Sequence, residues 1–415
     1  MKRAALTLLM LLSAASLDAR MRAVRSGPPA ESPAAWLRSR TVLPSAIARL
    51  VGNAQVVALG DVTHSTHEVY AAKQELVPHL VAAGFRTLAF EAPYTEYKAL
   101  DEYVLHGTGD PSAALNLPFY WFWDTQEILD LVQWARAQNA AGLTPPIRVA
   151  GVDPTEPRST IAEVVAYLRR VDGAAAEEAV DAYRCIRDGY TGADRCRTAV
   201  ATVRTSMLAK RDAYVLASSL DEYEEMLHAA RVVEQGERIM ADGYDVRDEP
   251  MAENVLHLAA RNRVIVFGHN EHWGRTPYQL DSPKLLRSAG SFLGQALAER
   301  YFALGSIALD GTFLAVEYAP GVRSGTIQTQ VMTAPSPDDV ATLLAQSNLD
   351  SMILPLRGGL PSWLAGTRRM RFAGSTVVSR ERATLDVPVN LGEKFDAVLY
   401  VRTSTPTRLR HWPRF

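Results

Sequence analysis

Short apolar runs that end in polar residues predict the strands of this chain. They include "QVVALGD", "RTLAFEA", "IRVAGVD" and "RVIVFGHNEH". Because these runs lack strict alternation of apolar and polar positions, they are typical of strands covered on both faces, as in a parallel sheet. Between the first two lies "EVYAAKQELVPHLVAAG", with apolar residues at helical spacing and Gly84 as a C-terminal stop. This order predicts an α/β fold with a mainly parallel central sheet flanked by helices.

The pattern changes to long helical periodicity from about residue 157 to residue 260. Few helix breakers interrupt it, so we expect a large helical insertion between two strands of the sheet. Strand patterns resume with "RYFALGSIALDGTFLAVEY", which predicts a hairpin that turns at Asp310 and Gly311. "SMILPL" and "FDAVLYVR" are further predicted strands.

The N-terminus has the layout of a secretory signal peptide. Lys2 and Arg3 precede an apolar stretch that is too short to span a bilayer, and small residues follow it. We predict a signal peptide at 1–19, a flexible linker at 20–37 that includes "SGPPAESPAA", and one α/β domain at 38–415. The protein is then periplasmic or secreted, with no stable membrane anchor after signal cleavage. A first helix of the fold or an uncleaved anchor is the open alternative.

Composition adds limits on partners and on the redox environment. The chain has 415 residues, 47% of them hydrophobic, and a formal net charge of -2, so nothing in it predicts nucleic-acid binding. Its two cysteines, Cys185 and Cys196, flank the Gly-containing loop of "CIRDGYTGADRC". In an oxidising compartment they are expected to form a local disulfide, and two free buried thiols are the alternative. Neither interpretation gives the pair a catalytic role.

Ionisable side chains stand at the ends of the four predicted strands. They are Asp61 and His64, Glu91, Asp153, and His269 with His272. Ligands of open parallel sheets bind beyond the carboxyl ends of the strands, so these residues form a candidate active site if the strands are neighbours. A neutral His64 can take a proton from water, a carboxylate such as Glu91 or Asp61 can orient its ring, and His269 can donate to a leaving group. Ester hydrolysis needs these roles and no organic cofactor.

Other interpretations of the same residues stay open. His67, Glu68 and His272 are as well explained as helix caps or core residues, and the aromatic segment "FYWFWDTQEILDLVQWAR" either lines a pocket or belongs to the core. The His64-x-x-His67 and His269-x-x-His272 pairs, with carboxylates nearby, offer a zinc site as an alternative. A non-catalytic ligand-binding protein that uses the same cleft is another. The sequence contains no G-x-S-x-G elbow and no Walker A motif, which argues against a serine hydrolase of the α/β type and against nucleotide binding.

Several stretches resemble, in order, the motifs of the erythromycin esterase family. "LGDVTHSTHEVY" is similar to its Gly-Glu-x-x-His-Gly-Thr-x-Glu-Phe motif, with Asp61 in place of Glu and Ser65 in place of Gly. The other matching stretches are "AFEAPY", "WDTQEILDLVQWARAQN", "VAGVD", "YDVRDEPMAENV", "VIVFGHNEHWG" and "FDAVLYVRTSTP". The resemblance extends from about Val56 to Pro406.

The resemblance implies an exported esterase-type hydrolase that acts on a small-molecule ester or lactone without a metal or cofactor. Carried over, His64 is the general base, Glu91 a catalytic carboxylate and His269 a second catalytic imidazole. The residues implied to bind substrate or support the site are Asp61, Glu68, Lys73, Asp153, Arg247 and His272. The family has an Arg on the helix after the first motif; the nearest basic residue here is Lys73, which cannot make the same bidentate contact. Because Asp61 is one methylene shorter than Glu, its carboxylate is displaced by about 1 Å, which makes macrolide cleavage less expected than cleavage of another ester.

Overall fold

The structure is a computed structural model that describes residues 31–190, 193–279, 284–318, 325–377 and 384–413. The predicted signal peptide at 1–19 and residues 20–30 of the predicted linker lie outside these ranges. The last part of the linker forms a helix, because Ser32 caps it by accepting a hydrogen bond from the Ala35 amide and a proline begins it at Pro33. Leu37 of this helix is buried in the core, so the folded domain begins before the predicted residue 38.

Helices separate the first three strands. Between the third and fourth strands the described elements are all helices, and strands resume after them. The helices are α1 (Pro33–Arg40), α2 (Ile47–Val51), α3 (His67–Ala82), α4 (Lys98–His106), α5 (Pro111–Leu115), α6 (Gln126–Ala140), α7 (Pro157–Val171), α8 (Gly173–Ala182), α9 (Arg184–Arg187), α10 (Ala193–Ala209), α11 (Arg211–Ala217), α12 (Leu220–Asp242), α13 (Asp248–Ala259), α14 (Asn270–Trp273), α15 (Ala289–Leu297), α16 (Val340–Ala345) and α17 (Leu391–Lys394). Short 3-10 helices lie at Pro44–Ala46, Pro118–Trp123, Tyr244–Val246 and Ala298–Arg300.

The strands form one main sheet and a separate pair. They are β1 (Val56–Asp61), β2 (Phe85–Pro93), β3 (Arg148–Asp153), β4 (Arg263–His269), β5 (Tyr301–Tyr318), β6 (Gly325–Val331), β7 (Ser351–Pro355), β8 (Thr367–Phe372), β9 (Thr376–Val377), β10 (Leu385–Asn390) and β11 (Ala397–Ser404). The main order is β3-β2-β4-β1-β5-β11-β7, in which only β7 is antiparallel to its neighbour. This mainly parallel sheet confirms the predicted fold class.

The four strands that carry the candidate site residues are adjacent. β3, β2, β4 and β1 lie side by side and run parallel, with Asp61 of β1 directly opposite His269 of β4. Alternate residues of β1 pack on opposite faces of the sheet: Val57 and Leu59 face α3 and α6, whereas Val56 and Ala58 face α13 and α15. The sheet is therefore covered on both sides, and its carboxyl edge is left to carry polar groups.

The predicted hairpin at Asp310 and Gly311 is wrong. The whole stretch is one strand, β5, whose first half pairs with β1 and β11 and whose second half pairs with β6 and β9. Gly311 does adopt a positive φ of 112°, but it is needed for close approach to β11, because a Cβ there would lie 2.1 Å from the Ser404 carbonyl oxygen. The glycine therefore bends a continuous strand and does not turn the chain back.

The described elements between β3 and β4 are all helical and have a hydrophobic core of their own, built mainly from α7, α8, α10 and α12. The predicted disulfide between Cys185 and Cys196 is present in this segment. Among the described residues, no helix is both long enough and apolar enough to span a bilayer.

Candidate active site

A cavity of about 790 Å³ lies at the carboxyl edge of the sheet. It is lined by most of the side chains that the strand ends were predicted to deliver, namely His64, Glu91, Asp153, His269 and His272. Arg247, which the family resemblance implied, also lines it. Residues that sequence reasoning did not select also line it, among them Tyr120, Phe122, Glu271, Tyr278 and Phe372. The size is that of a pocket for a small-molecule ligand.

His64 lies in the wall of this cavity and is only 5% exposed. Its Nδ1 faces Asp61 Oδ2 at 3.7 Å, and neither atom has a hydrogen-bonding partner among the described residues. Phe122 stacks on the imidazole, with 4.2 Å between ring centroids and 16° between the planes. The structure shows no hydrogen bond from Nε2 to any described residue, so this nitrogen is left for a ligand or water.

Asp61 and Lys73 form a fully buried ion pair behind His64. Lys73 on α3 contacts Asp61 Oδ1, and the two side chains are 2% and 0% exposed. Burial lowers the pKa of Lys73, and the neighbouring Asp61 charge opposes this shift in part. A lysine makes a single point contact here, so it holds one oxygen of Asp61 and leaves the other facing His64.

Glu91 is held by donors on both of its oxygens. Oε1 accepts a hydrogen bond from Arg247 Nη2 at 2.9 Å, and Oε2 accepts one from the His269 amide at 2.9 Å. Burial alone would raise the pKa of Glu91, but the charges of His272 and Arg247 lower it well below its usual range. Gly268 permits this approach, because a Cβ there would lie 2.6 Å from Glu91 Oε2. Glu91 is thus an ionised anchor for the cations beside the cavity.

Arg247 connects the ends of β2 and β3. Its Nε donates to Asp153 Oδ2 at 3.1 Å, and Tyr120 OH donates to the same oxygen at 2.9 Å. The carboxylates of Asp153 and Glu91 outweigh the effect of burial and raise the pKa of Arg247 well above its ordinary value. Arg247 is the fixed positive charge of the site.

His272 lies between Arg247 and two carboxylates, with Arg247 Nη1 3.2 Å from its Nε2. Its Nδ1 lies 2.8 Å from Asp248 Oδ1, and its Nε2 lies 3.5 Å from Glu91 Oε1. Burial lowers the pKa of His272, but Asp248 and Glu91 together raise it above the ordinary histidine value. Asp248 directly follows Arg247 in the chain, and its role was not predicted, because its position in the first turn of α13 suggests only a helix-dipole partner.

His269 has no ring nitrogen free for proton transfer to a ligand. Its Nε2–H donates to the Ala373 carbonyl at 3.1 Å, and its Nδ1 accepts from the Glu271 amide at 3.3 Å. Burial and the nearby His64 and His272 lower the pKa of His269 well below the ordinary histidine value, so the ring stays neutral. The structure therefore places His269 in the cavity wall with the geometry of a structural link between β4, α14 and the segment after β8.

Glu68 and His67 of the first motif, like Asp61, stay outside the cavity lining. Glu68 accepts hydrogen bonds from the Thr405 amide and hydroxyl, at 2.6 and 2.7 Å, and so holds the C-terminal segment. His67 Nδ1 lies 2.5 Å from Glu127 Oε1 and does not approach His64 to form a metal-binding pair. Among the residues that the structure describes, no group of three or more His, Cys, Asp or Glu side chains is arranged to hold a metal ion.

The aromatic segment before α6 contributes to both the pocket and the core. Phe122 and Tyr120 contact His64 and Asp153, whereas Trp123 is buried and donates from Nε1 to the Glu91 carbonyl at 2.9 Å. The sequence left the two interpretations open because a run of five aromatic residues, Phe119 to Trp123, carries no periodicity that separates them.

The amino-acid sequence is similar to those of known proteins. A family model described as erythromycin esterase matches residues 81–404. The chain is 25% identical to an erythromycin esterase type II of Escherichia coli over 301 residues, which cover 63% of this chain and 71% of the relative. It is 21% identical to the putative hydrolase YbfO of Bacillus subtilis strain 168 over 402 residues, which cover 85% of this chain and 84% of the relative.

Solved structures share the fold. A crystal structure of a Bacillus cereus protein matches with a TM-score of 0.79 and 23% identity, over 91% of this chain and 98% of that one. A succinoglycan biosynthesis protein matches with a TM-score of 0.77 and 21% identity, over 93% of this chain and 100% of that one. A mutant of the erythromycin esterase EreC in its open conformation matches with a TM-score of 0.67 and 18% identity, over 87% and 93%. These identities are low, so the likeness concerns the fold alone.

Proposed function

The chain belongs to the erythromycin esterase family, and from this premise we propose that it hydrolyses a carboxylic ester or lactone with water activated by His64. One observation carries the proposal. His64 lies in the cavity wall with Nδ1 towards Asp61 and Nε2 without a partner among the described residues. In the neutral tautomer that carries its hydrogen on Nδ1, the Nδ1–H points to the Asp61 carboxylate, and the Nε2 lone pair is available to a water molecule.

The proposed reaction begins when Nε2 of His64 takes a proton from water and the water oxygen bonds to the ester carbonyl carbon. The negative charge that develops on the carbonyl oxygen is stabilised by the two cations that line the cavity, Arg247 and His272. Glu91 and Asp153 hold these cations in place before substrate arrives. When the carbon–oxygen bond breaks, the departing alkoxide takes the proton from Nε2–H of His64, which yields one acid and one alcohol.

Asp61 would orient His64 and stabilise the imidazolium formed in the first step. No step needs a metal or an organic cofactor. The roles of His269 and Glu91 differ from those that the resemblance implies: His269 would act as a neutral wall residue and Glu91 as the anchor of the cations, because their polar atoms are already engaged.

We also propose that the protein is exported. The N-terminal pattern of Lys2, Arg3 and a short apolar stretch supports this, and so does the Cys185–Cys196 disulfide, which fits an oxidising compartment. N-terminal sequencing of protein recovered from a periplasmic fraction tests the proposal. A mature chain that begins near residue 20 is expected, and an intact Met1 in the cytoplasm would contradict it.

The substrate class can be tested with purified mature protein in ¹⁸O-labelled water. The panel contains aryl esters, alkyl esters, simple lactones and a 14-membered macrolide. We expect at least one ester or lactone to be cleaved, with a single ¹⁸O in the carboxylate product and a rate unchanged after dialysis against a chelator. An intact panel would contradict ester hydrolysis, and activity that is lost on chelation and restored by zinc would contradict the metal-free reaction.

A further inference from the structure

Two aromatic side chains at the cavity are left almost entirely in water. Phe119 is 76% exposed and Tyr244 is 74% exposed, and both line the cavity that contains His64. Phe119 lies in the 3-10 helix Pro118–Trp123, and Tyr244 begins the 3-10 helix Tyr244–Val246. Single exposed apolar residues are normal on a protein surface, but two that share one ligand-sized cavity mark a place where apolar surface can be buried by a ligand.

The cavity has a buried end and an end open to solvent. His64, Glu91 and His269 are nearly inaccessible, so the proposed reaction occurs at the buried end. Phe119 and Tyr244 lie at the end open to solvent. The wall of the cavity also includes the apolar or aromatic side chains Phe122, Tyr278, Phe372 and Leu385. A substrate that fills the cavity therefore meets the proposed catalytic groups at the buried end and the exposed rings of Phe119 and Tyr244 at the open end.

We propose that Phe119 and Tyr244 bind an apolar group of the substrate that is remote from the scissile bond, and so set a preference for long or bulky esters over short ones. This inference rests on the proposed ester hydrolysis. Contact with each ring buries apolar surface that is now exposed to water, which favours binding. This favourable free energy is available only to substrates long enough to reach Phe119 and Tyr244, the rim of the cavity. Because the two rings are exposed whereas the proposed catalytic groups are buried, we expect the rings to change which substrate is bound and to leave the chemical step unchanged.

Hydrolysis of 4-nitrophenyl acetate and 4-nitrophenyl decanoate by Phe119→Ala, Tyr244→Ala and the double variant tests the inference. We expect kcat/KM for the decanoate to fall by about tenfold for each ring removed, mainly through KM. The value for the acetate should change by less than about threefold, because the acetate cannot reach the rim. Tyr244→Phe, which keeps the ring, should keep the preference, and Leu216→Ala is the matched control, since Leu216 is 89% exposed and does not line the cavity.

A second series, acetate esters of alcohols of increasing length, shows whether the apolar group belongs to the acyl or the alcohol side. A selective fall in kcat/KM for the long esters of either series supports the inference. Equal losses for short and long esters, or no loss in both series, would overturn it.

A binding measurement separates this inference from the proposed function. The affinity of 2-undecanone, a ketone that cannot be hydrolysed, is measured by calorimetry for the wild-type protein and the double variant. At least tenfold weaker binding by the variant supports the rim site even if no ester is cleaved. Equal affinity, or no binding to the wild-type protein, would overturn the rim site whatever the panel of esters shows.

Discussion

His64 Nδ1 lies 3.7 Å from Asp61 Oδ2, and neither atom has a hydrogen-bonding partner among the described residues. The other oxygen of Asp61 contacts Lys73. Asp61 stands where the family motif has Glu, and Lys73 is the basic residue nearest to the position of the family's Arg; the structure shows that Asp61 and Lys73 contact each other. Asp61 and Lys73 thus form a buried ion pair next to His64, the proposed general base.

The first prediction concerns Asp61→Asn. An amide can keep the shape of Asp61, but it removes the negative charge that stabilises the imidazolium of His64. We expect kcat to fall by about a hundredfold or more, with little change in KM. Steady-state kinetics on the best ester of the panel measure the effect. Asp130→Asn, at an exposed position of α6, is the control, and equal losses in the two variants would contradict the role of Asp61.

The second prediction concerns the stability of the Asp61–Lys73 pair. Lys73→Met leaves Asp61 buried without a counter-charge, so the free energy of unfolding should fall by about 3–5 kcal/mol. The double variant Asp61→Leu with Lys73→Met removes both charges and should recover most of this loss. Urea denaturation measures both effects.

The control for the second prediction is Arg170→Met in the exposed pair between Arg170 and Glu222. Its effect should stay below about 1 kcal/mol, since exposed ion pairs contribute little. If Lys73→Met lowers the free energy of unfolding by no more than this control, the predicted cost of leaving Asp61 buried without a counter-charge is contradicted.

Sequence patterns predicted the sheet better than its irregular features. Consecutive apolar residues in β1 to β4 are forced by burial on both faces, so the pattern predicts a parallel sheet with little ambiguity. The Asp310-Gly311 pair has the same local signature whether the chain turns or continues, and only the pairing of β5 with β11 shows that it continues. The start of α1 within the predicted linker was hidden for a related reason, because a proline is equally suited to a linker and to the first turn of a helix.

The third prediction concerns pH. Asp248 and Glu91 raise the pKa of His272 in the folded state, so its stabilising contribution is fully present below the unfolded pKa of about 6.5. That contribution is lost as the pH rises through the raised pKa of the folded state. The difference in free energy of unfolding between wild type and His272→Gln should therefore shrink as the pH rises above neutrality. Urea denaturation across this range checks the sign, and a difference that grows with pH would contradict it.

The fourth prediction concerns the disulfide. Cys185 and Cys196 are separated by 11 positions, so replacing both by alanine should lower the free energy of unfolding by about 2–3 kcal/mol in the chain-entropy model. The bond lies in the helical segment and neither cysteine lines the cavity, so kcat/KM should not change. A loss of activity in folded protein would show that this segment is coupled to the site.

The candidate site was predicted in outline from strand ends, but the hydrogen-bonding partners and pKa shifts of its side chains were not. Adjacent strands make Asp61, Glu91, Asp153 and His269 neighbours, which follows from topology. That His269 is neutral depends on the Ala373 carbonyl, more than 100 residues away in the chain, as the separation of 104 shows. That the pKa of His272 is raised depends on Asp248, which the sequence places beside Arg247 without indicating its partner.

The most direct test of the central claim compares His64→Ala with His67→Ala. The two histidines are three positions apart in the chain, but only His64 lines the cavity, whereas His67, at the start of α3, pairs with Glu127. On an ester that the wild-type protein cleaves, His67→Ala should retain most of kcat, and His64→Ala should lose at least about a hundredfold, the scale of a general base. Hydrolysis that survives in folded His64→Ala would contradict the account.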